Sequence, residues 1–314
     1  MNIYEKLPKP FFVLAPLDDV TDVVFRSIVA DCAKPDLFFT EFVNVDGLQS
    51  PGRQKLIHRL AITKSDEPII AQIWGKNPDN YFKTARELVD MGFAGVDINM
   101  GCPIKAIVNN GCCSALINNR PLAKDIINAV QAGVDGKLPV SVKTRLGYNE
   151  IDFTWHDFLL NQNLDNLTVH GRTKKQMSLV PADWNAIAHI REMRDTISPN
   201  TTITGNGDVI SITEGRELVI QHKVDGVMIG RGIFSDPYLF SESNLWINKT
   251  PDEKKKLFAK HVQLFADTWK DNERKINTLN KFAKVYINNF VGAKELREKL
   301  MNSESIDELL TLLH

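Results

Sequence analysis

A cysteine in a tight turn, a lysine inside an apolar run and two glycine-rich turns are the residues here whose chemistry asks for an explanation. Cys102 follows DINMG and precedes Pro103. A free cysteine usually serves as a small buried hydrophobe, yet a Gly-Cys-Pro turn is a poor place to pack a core. With an ordinary pKa of ~8.5 the thiol is mostly protonated near neutrality and can donate a proton. As a nucleophile it would need a neighbouring base, and no Cys-His-Asn pattern offers one. Lys143 stands within VSVKTR, flanked by alternating residues. A lysine so placed needs an anion, a hydrogen-bond acceptor or an acid on the next strand. Gln72 offers a donor and an acceptor together. His170, in LTVHGRT, is either a ring or phosphate ligand or a satisfied core residue. Gly205-Asn206-Gly207-Asp208 and Gly230-Arg231-Gly232 combine close backbone approach with amide donors and a guanidinium. One such turn is ordinary chain reversal; two in succession suit a phosphate. Cys112 and Cys113 have no partner spacing and read as packing residues, and no Cys or His spacing suggests a metal.

Eight apolar, β-branched runs carry these residues. They are 11–16 (FFVLAP), 37–42 (LFFTEF), 68–74 (PIIAQIW), 95–101 (GVDINMG), 140–145 (VSVKTR), 166–171 (NLTVHG), 201–208 (TTITGNGD) and 226–232 (GVMIGRG). Amphipathic stretches at 81–89, 126–131, 183–193 and 211–222 separate the later ones, whereas 44–66 is loop-rich. Eight strand–helix repeats predict a (β/α)8 TIM barrel. A doubly wound open sheet is the rival, but the first run ends in Ala15-Pro16-Leu17-Asp18 with no GxGxxG. Barrel chemistry sits at the C-terminal ends of the strands, and the polar residues fall there in all eight runs. Beyond about 245 the strand signals stop. Helical runs at 251–272, 276–290, 294–301 and 305–313 predict a small all-helical domain, dividing the chain at 1–244 and 245–314.

The bulk properties narrow the function. The chain has 314 residues and a formal net charge of −1, which excludes a surface that grips nucleic acid everywhere. Residues 245–314 hold 13 Lys and Arg against 10 Asp and Glu, so a phosphate contact falls more naturally there. No signal peptide is visible, and no apolar stretch reaches the ~20 residues of a membrane span. Four cysteines without disulfide spacing suit a reducing, cytoplasmic setting.

Taken in order, APLDDVTD, DINMGCP, VSVKTRLG, LTVHGRT, GNGD and DGVMIGRGIFSDPYLF resemble the motifs of the tRNA-dihydrouridine synthases, and the likeness covers nearly the whole chain. It implies an FMN-dependent enzyme that reduces specific uridines in tRNA to 5,6-dihydrouridine, with NADPH or NADH as reductant. Hydride would pass from flavin N5 to uracil C6 and a proton from Cys102 to C5. FMN contacts are implied at Pro16, Leu17, Asp18, Gln72, Lys143 and His170, and phosphate contacts at Asn206, Gly207, Asp208, Gly230 and Arg231. A lysine at Lys143 would stabilise negative charge on the reduced ring. Asn99 would hold the uracil edge, with Arg145 and Arg172 as uracil or RNA contacts. The helical domain would bind RNA; no metal, membrane or protein partner is implied, and the expected state is a monomer. Three places depart from the family pattern: Leu17-Asp18-Asp19 where APM and a small residue are usual, Trp74 after the third run, and Cys112-Cys113 in the loop after Cys102. A dihydroorotate-type dehydrogenase of a free pyrimidine shares the same chemistry but needs no helical appendage. A non-catalytic RNA-binding protein on a barrel would have no use for Cys102, Lys143 and His170 together.

Overall fold

The computed structural model describes residues 2–243, 245–270 and 273–314. Parallel strands form a ring: β1 (Phe11–Leu14), β2 (Phe38–Phe39), β3 (Val43–Asn44), β4 (Ile69–Trp74), β5 (Gly95–Asn99), β6 (Val140–Arg145), β7 (Asn166–His170), β8 (Thr202–Asn206) and β9 (Gly226–Ile229). Hydrogen bonding runs β1-β9-β8-β7-β6-β5-β4-β2. A bridge between Val13 and Leu37 brings β1 beside β2 and closes the barrel. Its strands are buried along almost their whole length, which is why they read as continuous apolar runs.

The second stave differs from the expected 37–42. Only Phe38–Phe39 pairs with Ile69 and Ile70, and pairing resumes at Val43–Asn44 beside Ile73 and Trp74. Between them the Thr40 hydroxyl takes the Gln72 backbone N–H at 3.1 Å and donates to the Glu41 carbonyl at 2.7 Å. The interruption turns Glu41 toward arginines outside the ladder. Residues 45–66 form one short helix and three 3-10 turns, matching the loop-rich reading.

The helix starts are capped by side chains. Asn77 caps Pro78–Asp90, Asp183 caps Trp184–Ile197, and Ser211 caps Ile212–His222, each by accepting an N–H of the first turn. Gly92, at φ +82°, follows the first of them in the left-handed conformation that favours glycine. The C-terminal region is helical: Pro251–Thr268, a 3-10 segment Ile276–Phe282 running into Ala283–Tyr286, then Ala293–Met301 and Ile306–Leu313. Thr250 and Glu253 form a reciprocal capping box at Pro251. Asn272, the expected end of that helix, and Asn244, at the expected domain division, lie outside the described residues. The C-terminal helices pack on the barrel helix Val23–Ala33. Phe25 lies 4.8 Å from the Phe282 ring and 5.8 Å from His261, and Lys260 pairs with Asp31 at 2.8 Å. A single apolar cluster runs through both parts.

Candidate active site

The barrel register sets the site. Gln72 pairs with Asp97, Asn99 with Lys143, Arg145 with His170, His170 with Asn206, and Asn206 with Met228. Parallel strands in register, with side chains alternating in and out, must bring these groups to one end. They surround a cavity of about 610 Å3 at the C-terminal mouth, within the size range of ligand sites. Pro16, Leu17 and Asp18 line it after β1, and Gln72 on β4. Asn99 and Cys102 line it from β5, Lys143 and Arg145 from β6, and His170 from β7. Asn206, Gly207 and Asp208 after β8, with Gly230 and Arg231 after β9, complete the ring. Phe42, Ile104, Ile210 and Ser235 also line it; Phe42 reads in sequence as the end of an apolar run, Ser235 lies in the last motif, and Ile104 and Ile210 are ordinary loop residues that nothing singles out. Arg172 lies elsewhere. It is buried behind the wall, bonded to the Asp208 carboxylate and the Val180 carbonyl.

The turn after β8 is held from outside. A Cβ on Gly205 would stand 2.2 Å from the Trp184 ring, so this glycine serves the packing of Trp184. Trp184 Nε1 in turn donates to the Gly207 carbonyl at 3.1 Å. Gly207 has φ +139°, where glycine is favoured. Asp208 accepts from Arg172 and from the Ala182 N–H, and both bonds lower its pKa. Its carboxylate therefore braces the turn. Arg231, after β9, is 65% exposed and 3.9 Å from Asp208. The turn it opens has no side-chain cap, leaving a guanidinium and backbone facing the same corner as Gly207.

Lys143 and His170 form the polar floor. Lys143 Nζ donates to Asn206 Oδ1 at 3.0 Å, and Asn206 Nδ2 donates to the Met228 carbonyl at 2.8 Å. Burial, then Arg145, brings the lysine down to about 8. His170 is held down to about 2 by burial and by Lys143, Arg145, Arg172 and Arg231, so it is neutral. Its Nδ1 is buried with no hydrogen-bond partner among the described residues. A buried orphan nitrogen beside an ammonium held by one carboxamide is a site short of an acceptor-rich ligand.

The thiol is set by its neighbours. Asn99 Oδ1 accepts the N–H groups of Gly101 and Cys102 at 3.1 and 3.0 Å. Arg145 Nε donates to the Gly101 carbonyl at 2.7 Å, and its NH1 reaches Thr173 and Met177 carbonyls at 3.2 Å. Cys102 is 7% exposed and clusters with Cys112 and Cys113, and Phe42, Trp74 and Ile107 pack against this cluster. Cys113 packs in the same cluster, as expected from sequence, and its side chain is also the largest influence on the proton affinity of Cys102. The Cys113 side chain brings Cys102 down to about 7 against the opposing effect of burial, helped by the Ile104 backbone and Arg145. Cys113, fully buried, is pushed well up. The less buried thiol beside the arginine is the one that ionises first.

The rim after β1 is tied to the C-terminal helices by charges that sequence spacing does not reveal. Arg59 bonds Asp18, Asp19 at 3.0 Å and Glu41 at 3.1 Å. The Asp19 N–H donates to Glu41 at 2.7 Å, with Asp19 at φ +55°. Arg274, from beyond the helix Pro251–Thr268, is 6% exposed and bonds the fully buried Glu41. Asp18, one of the positions that depart from the family pattern, is engaged by Arg59 while it lines the cavity.

Comparison with known proteins adds two kinds of likeness. A family model described as Dihydrouridine synthase (Dus) matches residues 13–314. A protein of Staphylococcus aureus (strain COL) named "Probable tRNA-dihydrouridine synthase" is 44% identical over 316 residues, covering 99% of this chain and 94% of its own. "Probable tRNA-dihydrouridine synthase 2" of Bacillus subtilis (strain 168) is 43% identical, covering 99% and 95%. Among solved structures, a 2-naphthoyl-CoA reductase complex superposes with a TM-score of 0.58 at 12% identity, over 76% of this chain and 52% of that one. Morphinone reductase superposes with a TM-score of 0.52 at 12% identity, over 73% and 84%. At such identity these structures show a common barrel and no more.

Proposed function

The chain belongs to the dihydrouridine synthase family, and we propose that it reduces uridines in tRNA to 5,6-dihydrouridine with FMN as its resident cofactor and NADPH or NADH as reductant. The carrying observation is the convergence, in one cavity, of the Cys102 thiol, the Lys143 ammonium, the orphan His170 nitrogen and the turns after β8 and β9.

The residues present fit FMN. Lys143 and His170 offer hydrogen-bonding groups for the polar edge of a flat ring, Gln72 lines the wall beside them, and the corner of Gly207, Gly230 and Arg231 suits its phosphate. Bound there, FMN would supply the hydride for uracil C6. Lys143 meets negative charge at the ring edge, which a lowered pKa does not prevent, since an incoming anion restores its proton. His170 stays neutral and can give or take one hydrogen bond. Cys102 gives its proton to C5, and Cys113 and Arg145 accommodate the thiolate left behind. With a value of about 7 the thiol is roughly half protonated at neutral pH. A uridine must leave its stack to reach such a cavity, and Arg145 stands at the mouth to meet it. The division into a catalytic part, 1–244, and an RNA-binding helical part, 245–314, belongs to the same proposal.

The test is to map dihydrouridine in RNA from cells with and without this protein, and to incubate the purified, flavin-loaded protein with unmodified tRNA, free uracil and orotate. Reduction confined to particular uridines of tRNA is the expected result. Turnover of free orotate with none on tRNA would replace this reading with the pyrimidine dehydrogenase.

A further inference from the structure

Below the cavity a chain of hydrogen bonds crosses the barrel interior, and its direction is fixed at both ends. Cys102 and Gly101 present backbone N–H groups, which only donate, so Asn99 must turn its Oδ1 to them. Asn99 Nδ2 then faces Gln72 Oε1 at 2.9 Å. Gln72 is left to point Nε2 downward, and it meets Asp97 Oδ2 at 2.7 Å. The other oxygen of Asp97 accepts from Ser141 Oγ at 2.6 Å, and Ser141 accepts from Tyr4 Oη at 3.1 Å at the barrel floor. Each of Gln72, Asp97 and Ser141 is fully buried.

A carboxamide looks the same size either way round, so neither Gln72 nor Asn99 has an inherent orientation. A buried carboxylate is a costly way to fill space when an apolar side chain would serve. What it supplies is an end that only accepts, which forbids the reversed arrangement of both carboxamides above it. Burial pushes Asp97 up to about 6, against the bonds from Ser141 and Gln72 and the charge of Lys143, so at pH 7 it is mostly the ionised, accepting form.

We propose that Asp97 is a positioning residue: it fixes the orientation of Gln72 and Asn99, and through them holds the Gly101 and Cys102 amides and hence the Cys102 thiol. It touches neither cofactor nor substrate. The inference deepens the proposed function by saying how the proton donor is held, yet it can be read without flavin or RNA.

Asp97→Asn introduces an NH2 that must face either Gln72 or Ser141. Facing Gln72, it reverses both carboxamides and sets Asn99 Nδ2 against two backbone N–H groups. Facing Ser141, it makes the two hydroxyls below reorganise. Gln72→Glu sets two carboxylates against each other. The double variant Asp97→Asn/Gln72→Glu moves the carboxylate one link up the chain. The carboxamide introduced at position 97 then donates to the carboxylate introduced at position 72. That carboxylate accepts from Asn99 on its other oxygen, and Ser141 donates to the carboxamide oxygen below as it did to Asp97. Every bond again has a donor and an acceptor.

The readout is the pH dependence of Cys102 alkylation by iodoacetamide in flavin-free protein, followed on the Cys102 peptide by mass spectrometry. Cys112, Cys113, Arg145, Lys143 and Asp18 are the charged or titratable groups around this thiol. Cys113 is fully buried, Cys112 is buried and its thiol pushed up by that burial, and Cys32 is pushed up to about 11, so Cys102 dominates near pH 7. We expect each single variant to move the midpoint up from about 7 and to slow alkylation at pH 7 roughly tenfold. The double variant returns both toward wild type. Independent space-filling roles would instead make the two substitutions add. Wild-type profiles in both single variants, or a double variant no nearer wild type than the worse single one, would overturn the proposal. If a single variant fails to fold, the double variant decides: folded with a wild-type profile it supports the chain, unfolded it refutes it. Either result leaves the RNA assay to judge the dihydrouridine reading separately.

Discussion

Replacing Lys143 by methionine separates stability from function in opposite directions. The ammonium is lowered from 10.5 to about 8, with burial as the first cause and Arg145 the second. A base whose folded value is depressed opposes folding at any pH where the unfolded chain still binds the proton. At about 1.4 kcal/mol per tenfold change in proton affinity, that opposition is worth about 3 kcal/mol at pH 7. The side chain borders the cavity and water reaches it, so about 2 kcal/mol is the better figure. The cost is largest below about 8, shrinks as pH rises through that value, and vanishes near 10.5. Lys143→Met also loses one hydrogen bond to Asn206, worth about 1 kcal/mol at every pH. Flavin-free Lys143→Met should therefore be at least as stable as wild type at pH 7. As pH rises, wild type should gain on it by about 2 kcal/mol, most of this before about pH 10. Urea unfolding of both proteins across that range measures the gap, and equilibrium dialysis against FMN measures retention, which should fall steeply in the variant. A gap that stays flat with pH, or FMN held as tightly as in wild type, would refute the reasoning that this lysine is kept for an anionic ligand at the expense of stability.

Cys102→Ala should keep its flavin and lose roughly 10²- to 10⁴-fold in tRNA reduction; full activity by turnover assay would remove the thiol from proton transfer. Turnover should decline as pH rises through about 7, because the thiol lowered by Cys113 has then given up the proton it must donate. Cys113→Ala should carry that limb of the pH–rate profile upward, and an unmoved limb would deny Cys113 its part. Arg274→Ala leaves the buried Glu41 with Arg59 as its one arginine partner beside the Asp19 N–H. It should cost about 3 kcal/mol in urea unfolding; a loss below about 1 kcal/mol would mean that Arg59 suffices.

The order of elements is legible in the sequence because barrel strands buried on both faces read as unbroken apolar runs, and because amphipathic spacing at 81–89, 183–193 and 211–222 marks helices the structure contains. The second stave reads too long. Nothing in LFFTEF says that the Thr40 hydroxyl will stand in for the ladder and turn Glu41 aside. Arg172 shows the same limit: a strand-end arginine reads as a ligand until its carboxylate partner, Asp208, is seen to hold it behind the wall.

By itself the sequence determined the family, the barrel and the set of polar residues at its mouth, since strand ends follow from periodicity and motif order. Only the tertiary structure decided what each polar group is bonded to. The pairs Lys143 with Asn206, Asp97 with Gln72 and Glu41 with Arg274 join different segments. Charge, orientation and proton affinity in a low-dielectric interior depend on distance and direction to the partner, and one-dimensional spacing carries neither.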